Sequence, residues 1–169
     1  HCKTRRQRQM CIRDSFYLGK EKDRKKRSRQ FIRDLESIVY DFPDDVEAKA
    51  FLAVTIYQNN RHHPIGSHQA VNSLIQQVFD ENPMHPAHHY RIHLWDREKP
   101  ERAVTSAARC GQSAPGIAHM WHMPGHIYSK LKRWDDSAYA QEASARTDHK
   151  YMITRRVLPC LLYTSDAAD

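Results

Sequence analysis

Seven of the twelve histidines fall between His85 and His126. Neutral imidazole is a good ligand for zinc, copper, iron or nickel. At about 100° per residue, His119, His122 and His126 share an arc of roughly 60° if their segment is one helix. His85, His89 and His93, spaced by four, make a second stripe. Two helical His-x-x-x-His pairs, His89/His93 and His122/His126, bring four imidazoles together if they face each other, and His119 is a fifth candidate. A structural zinc would use four such nitrogens, whereas a catalytic metal would keep a position for water or substrate. Without a thiolate the set does not choose among zinc, copper and iron. Asp96 or Asp148 is a candidate to orient an imidazole from behind. Two other readings stay open. One is a metal-free groove that hydrogen-bonds an acidic or peptide ligand or charges near pH 6. The other gives each histidine a separate, local role.

These side chains need helices to hold them. No stretch carries the alternation or the Asn-Gly turns of strands. Asp34 to Tyr40 has apolar residues at helical spacing, and Phe42-Pro43-Asp44-Asp45 breaks and restarts the helix. Asp44 or Asp45 is the expected N-cap of a helix from Val46 to Gln58. Asn59 to Ser67, with Pro64 and Gly66, reads as a loop. Ala70, Leu74, Ile75 and Val78 mark another helix, ending near Asn82-Pro83. Pro86 to Trp95, Pro100 to Cys110, Ile117 to Lys132 and Asp135 to His149 supply four more. Short loops between short amphipathic helices make antiparallel neighbours. Pro124 either kinks the helix that begins at Ile117 or starts it again in the first-turn position proline favours. Met120, Ile127 and Leu131 are the expected core face there, and Trp95, Tyr128 and Trp134 the expected packing aromatics.

The chain also repeats. Moved back by 33 residues, His122-Met123-Pro124-Gly125-His126-Ile127-Tyr128 falls on His89-Tyr90-Arg91-Ile92-His93-Leu94-Trp95, histidine on histidine and apolar on apolar. A period near 34 in helix–turn–helix units is the tetratricopeptide spacing. The run from Gly125 to Ser137 resembles that family's pattern of a small residue, an aromatic, and a glycine-aromatic-acidic-acidic-alanine turn, with Lys132 at the glycine and Ser137 at the alanine. The runs Asn82 to Pro86, His89 to His93 and His119 to Tyr128 resemble a histidine-rich bacterial branch of these repeats, which implies no established reaction. The resemblance implies an all-α fold of antiparallel helix pairs stacked as a TPR-like α-solenoid. It also implies that the first helix of each pair lines a concave surface. His89/His93 and His122/His126 then stand on adjacent helices, with axes about 8–10 Å apart.

Both termini read as something else. Met10 to Ser15 can be encoded by ATG TGT ATA AGA GAC AG, whose reverse complement, in one frame, gives Cys160 to Thr164. Inverted repeats of this kind resemble the adapter ends of transposase-made sequencing libraries. Residues 1–15 and 160–169 are therefore expected to be adapter-derived, leaving 16–159 as a repeat domain cut at both ends. Taking away their five basic and three acidic residues from 27 and 20 leaves 22 and 17, a net of +5. Cys2, Cys11 and Cys160 leave with them, so Cys110 stands alone and no disulfide framework is expected. Its expected role is packing.

Other chemistry is sparse. No run approaches the roughly 18 apolar residues of a membrane span. Phosphate-binding glycine loops, a Gly-x-Ser-x-Gly elbow and a His-Glu-x-x-His helix are all absent from the sequence. Lys20 to Arg33 carries eight basic residues, enough to neutralise phosphates, but has few aromatics beside them. A solvated helical face is the preferred reading, with nucleic-acid or anion binding as the weaker one. The expected function is a binding scaffold for a protein or peptide in a histidine-lined groove, with His89, His93, His119, His122 and His126 as candidate ligands of zinc, copper or iron. The alternative is a metal-dependent enzyme using the same histidines. Compartment and oligomeric state are left open by the sequence.

Overall fold

The computed structural model describes residues 23–156, and among these every regular element is a helix. The proposed adapter ends, 1–15 and 160–169, lie outside the described residues, as do Lys20 and Lys22 of the basic tract. The chain divides into two compact units, His1–Pro83 and Met84–Asp169.

The first unit holds α1 (Arg24–Asp41), α2 (Val46–Gln58) and α3 (His68–Glu81). Each begins where a short polar side chain can accept an orphan backbone N–H. Asp23 takes those of Lys25 and Lys26 at 2.8 and 3.3 Å. Asp45 takes that of Ala48 at 3.1 Å, and Ser67 that of Ala70 at 3.2 Å. Asp45, rather than Asp44, is thus the cap of α2. The Lys26 and Lys25 amides also hold the Asp23 carboxyl below its ordinary range. Phe31 and Leu35 on α1 and Leu52 on α2 form a buried cluster, with Ile32, Val39, Ile56 and Leu74 packed around it. The basic face of α1 points to solvent: Lys25, Lys26, Arg29 and Arg33 are all exposed.

The second unit runs α4 (His88–Trp95), a 3-10 turn (Pro100–Ala103), α5 (Val104–Ser113), α6 (Ala118–His122), α7 (Pro124–Lys130) and α8 (Trp134–Arg155). The helix expected from Pro86 begins only at His88, because the imidazole Nδ1 of buried His85 accepts the Ala87 N–H at 3.0 Å and closes a turn. The expected helix from Ile117 is two. Met123 keeps helical angles (φ −53°, ψ −38°), and Pro124 opens α7 at its first turn. The proline therefore restarts the helix without throwing its histidines out of phase. α4 packs on α5, α5 on α6 and α7, and α8 on α6 and α7. Ile92, Leu94, Trp95, Ala107, Cys110, Met120, Met123 and Ile127 are buried between them. Gly111 is required by closeness: a Cβ there would collide with the Trp121 ring.

The turn from α7 to α8 carries the lysine that stands in for the family's glycine. Lys132 adopts φ 59°, the left-handed conformation glycine takes without strain. Its N–H reaches the Ser129 carbonyl at 3.1 Å, and the Arg133 N–H reaches that of Tyr128 at 2.8 Å. This pair of bonds satisfies the last carbonyls of α7. Arg133 then lies over the Tyr128 ring at 4.7 Å and pairs with Asp136 at 2.7 Å. Trp134 departs from expectation. It is 63% exposed, since α8 turns the face of Ala140 and Ser144 inward and its first residue projects outward.

Candidate metal centre

All five candidate histidines lie in the second unit and all are half-buried. α4 carries His89 and His93 one turn apart, α6 carries His119 and His122, and α7 carries His126. The buried neighbours Ile92, Met120, Met123 and Ile127 fix the inward faces of these helices and leave the imidazoles together on the outer one.

The rings form an unbroken row. His93 and His89 have centroids 4.7 Å apart, His89 and His119 4.9 Å, His119 and His122 5.9 Å, and His122 and His126 4.9 Å. Within it the nitrogens fall into two groups. Nε2 of His89 lies 2.9 Å from Nε2 of His93 and 3.3 Å from Nε2 of His119. One ring nitrogen from each of these three falls within 4.8 Å of the others. Separately, Nε2 of His126 lies 3.0 Å from Nε2 of His122.

Between the pairs His89/His93 and His122/His126, the residue that joins the stripes is the one the sequence offered as a fifth candidate. That residue is His119, on the other helix pair, whose Nε2 meets His89. A tetrahedral zinc with Zn–N of about 2.0–2.1 Å separates its ligand nitrogens by about 3.3–3.4 Å. The His89–His119 spacing of 3.3 Å matches that value, while His89 and His93, at 2.9 Å, must part by a few tenths of an ångström to share an ion. A contact between two imidazole nitrogens also requires one of them to present a bare lone pair, the form that binds a cation.

Sequence reasoning offered Asp96 and Asp148 as orienting groups and overlooked Gln141. The Gln141 Oε1 sits 2.7 Å from Nδ1 of His122. An amide oxygen only accepts, so Nδ1 donates its hydrogen and Nε2 carries the lone pair, with His126 Nε2–H donating to it. The amide nitrogen of Gln141 lies against Gly125, where a Cβ would collide with it. Asp96 is buried at the end of α4 and its Oδ1 has no hydrogen-bond partner. His88, next to His89 in sequence, points the other way. It is 1% exposed and its Nδ1 lies 3.0 Å from the Ser106 Oγ on α5. His85, in its turn, is likewise structural.

Cys110 is fully buried, and burial pushes its thiol up to about 12. A thiol that holds its proton is neither nucleophile nor metal ligand at neutral pH. Burial also raises the Tyr128 phenol.

No protein-family model matches the chain, and a search of curated proteins returns no match. Among solved structures, MamA MSR-1 C2, a TPR-like protein, superposes with a TM-score of 0.58 at 14% identity, over 73% of this chain and 69% of that one. At that identity the likeness speaks to fold alone, and the fold is a TPR-like, all-α helical repeat.

Proposed function

We propose that the chain is a TPR-like scaffold for a protein or peptide partner, with a transition metal held by His89, His93 and His119 on its histidine face. The observation that carries this is the approach of three Nε2 atoms from two different helix pairs. The His119–His89 contact spans 30 residues of chain, so neither histidine serves its own helix alone. Three imidazoles also leave a tetrahedral ion one position short. A histidine or carboxylate of the partner fills that position in this reading, and the metal makes recognition selective.

The same vacant position is the observation that favours a second reading, a metal-dependent enzyme in which water occupies it. Zinc, copper and iron all suit imidazole. The basic tract supports neither reading. Its described residues form a solvated face on α1, and a polyanion held there would bind independently of the histidines.

The test is metal content by mass spectrometry of the untagged chain, beside a His93→Ala/His119→Ala variant. The expected result is one firmly held ion per chain, lost in the variant with the helical circular dichroism unchanged. No ion after loading with zinc or copper and desalting would sink the metal and leave a metal-free groove. Loaded protein that hydrolyses model esters, with no gain in peptide capture, would favour the enzyme.

A further inference from the structure

The His122–His126 pair has an environment of its own, distinct from the three-nitrogen cluster beside it. We infer that it is a second metal position, loaded separately from the first and set by Gln141. The inference rests on the metal reading of the neighbouring cluster.

Three observations support it. The two Nε2 atoms lie 3.0 Å apart, on α6 and α7, separated by one turn across Pro124. Two imidazoles four residues apart on a helical face can chelate one divalent ion, with water completing the coordination. Next, Gln141 fixes the tautomer of His122 by accepting from Nδ1 at 2.7 Å. Groups behind a metal-bound imidazole do this work: they pin the ring, direct the lone pair outward and raise its basicity. Lastly, Gln141 is itself held. Its amide nitrogen packs on Gly125, in the space a side chain would fill, so the oxygen faces His122. Loading requires that His126 present the Nε2 lone pair in place of its hydrogen, so that both Nε2 lone pairs face the ion.

His119 stands between the two positions, with ring centroids 4.9 Å from His89 and 5.9 Å from His122. Its Nε2 contact is to His89. We place it with the first ion on that contact and the second ion on His122 and His126. The second ion is accordingly the weaker bound. The class of ligand is a borderline divalent cation, zinc or copper(II), with open positions for water or a donor from a bound partner.

Native mass spectrometry of the full, untagged chain titrated with zinc tests this, with calorimetry giving the two affinities. Two ions are expected. His93→Ala should remove the tighter and His126→Ala the weaker. Gln141→Ala should weaken only the second, by about 10- to 100-fold. Gly125→Ala should act in the same direction by displacing the amide. Gln141→Glu, which still accepts from Nδ1, should retain the second ion. Imidazole nitrogen shifts of His122 should report an Nδ1–H ring in the wild type and a tautomer mixture in Gln141→Ala, a change that a purely structural glutamine would not produce. One ion, lost in His93→Ala but untouched by His126→Ala and Gln141→Ala, would overturn the second position and leave the first standing. One ion lost in either histidine variant would mean a single shared centre and overturn it too. No ion at all would remove both readings.

Discussion

Two buried polar side chains of the second unit show how much depends on a partner. His88 and Ser106 are 1% and 0% exposed, and each is the other's hydrogen-bond partner. His88→Ala opens a cavity and leaves the Ser106 hydroxyl unpaired, so a loss of about 2–4 kcal/mol is expected in urea unfolding. Ser106→Ala alone should cost less. A double-mutant cycle should show the coupling, and strictly additive costs would mean the bond contributes nothing. Cys110 has burial without ionisation. Its thiol is raised from 9.0 to about 12. The folded state thus binds the proton more tightly than the unfolded one. The associated stability is complete below about pH 9 and is lost as pH climbs toward 12. At pH 8, iodoacetamide should label the Cys110 peptide only through unfolding, orders of magnitude slower than in urea. Labelling equally fast in both conditions would contradict the packing described for α5.

At the scale of elements, the turn between α7 and α8 has a local defect that sequence already marks. Lys132 occupies the left-handed conformation at φ 59°, where a side chain costs about 1–2 kcal/mol. Lys132→Gly should therefore stabilise the chain by about 1 kcal/mol after the greater freedom of unfolded glycine is set against it. Lys132→Ala should give no gain, and equal midpoints for all three would show the turn is unstrained. The helix ends were legible for the same reason. Asp45, Phe42-Pro43 and Asn82-Pro83 act through their immediate neighbours, so α2 spans the Val46 to Gln58 foretold for it. The site was legible only in part. Spacing places the histidines on common faces, but the meeting of His119 with His89 depends on where α5, packed on both helices, holds α6 relative to α4. Gln141 reaches His122 from 19 residues away, around a left-handed turn, and no one-dimensional pattern encodes that approach. Trp134 failed as a core residue because an aromatic at repeat spacing says which position it fills, not which face of α8 its neighbours cover.

At the scale of the whole molecule, the histidine row belongs entirely to one of the two units, Met84–Asp169. A metal that binds the folded form and not the unfolded one stabilises it by RT ln(1 + [M]/Kd), about 2.7 kcal/mol at a hundredfold excess over Kd. That gain reaches only amides whose opening breaks the site. Hydrogen exchange with and without zinc should therefore slow in α4, α6 and α7, the carriers of the ligands. α5 and α8 should slow with them, since they pack on those helices. Amides of α1 to α3 should exchange at unchanged rates if the units open independently. Protection spreading evenly through α1 to α3 would instead show that the two units unfold as one. Protection stronger in α4 and α6 than in α7 at low zinc would place the ion on His89, His93 and His119, while added slowing in α7 at higher zinc would follow the loading of His122 and His126.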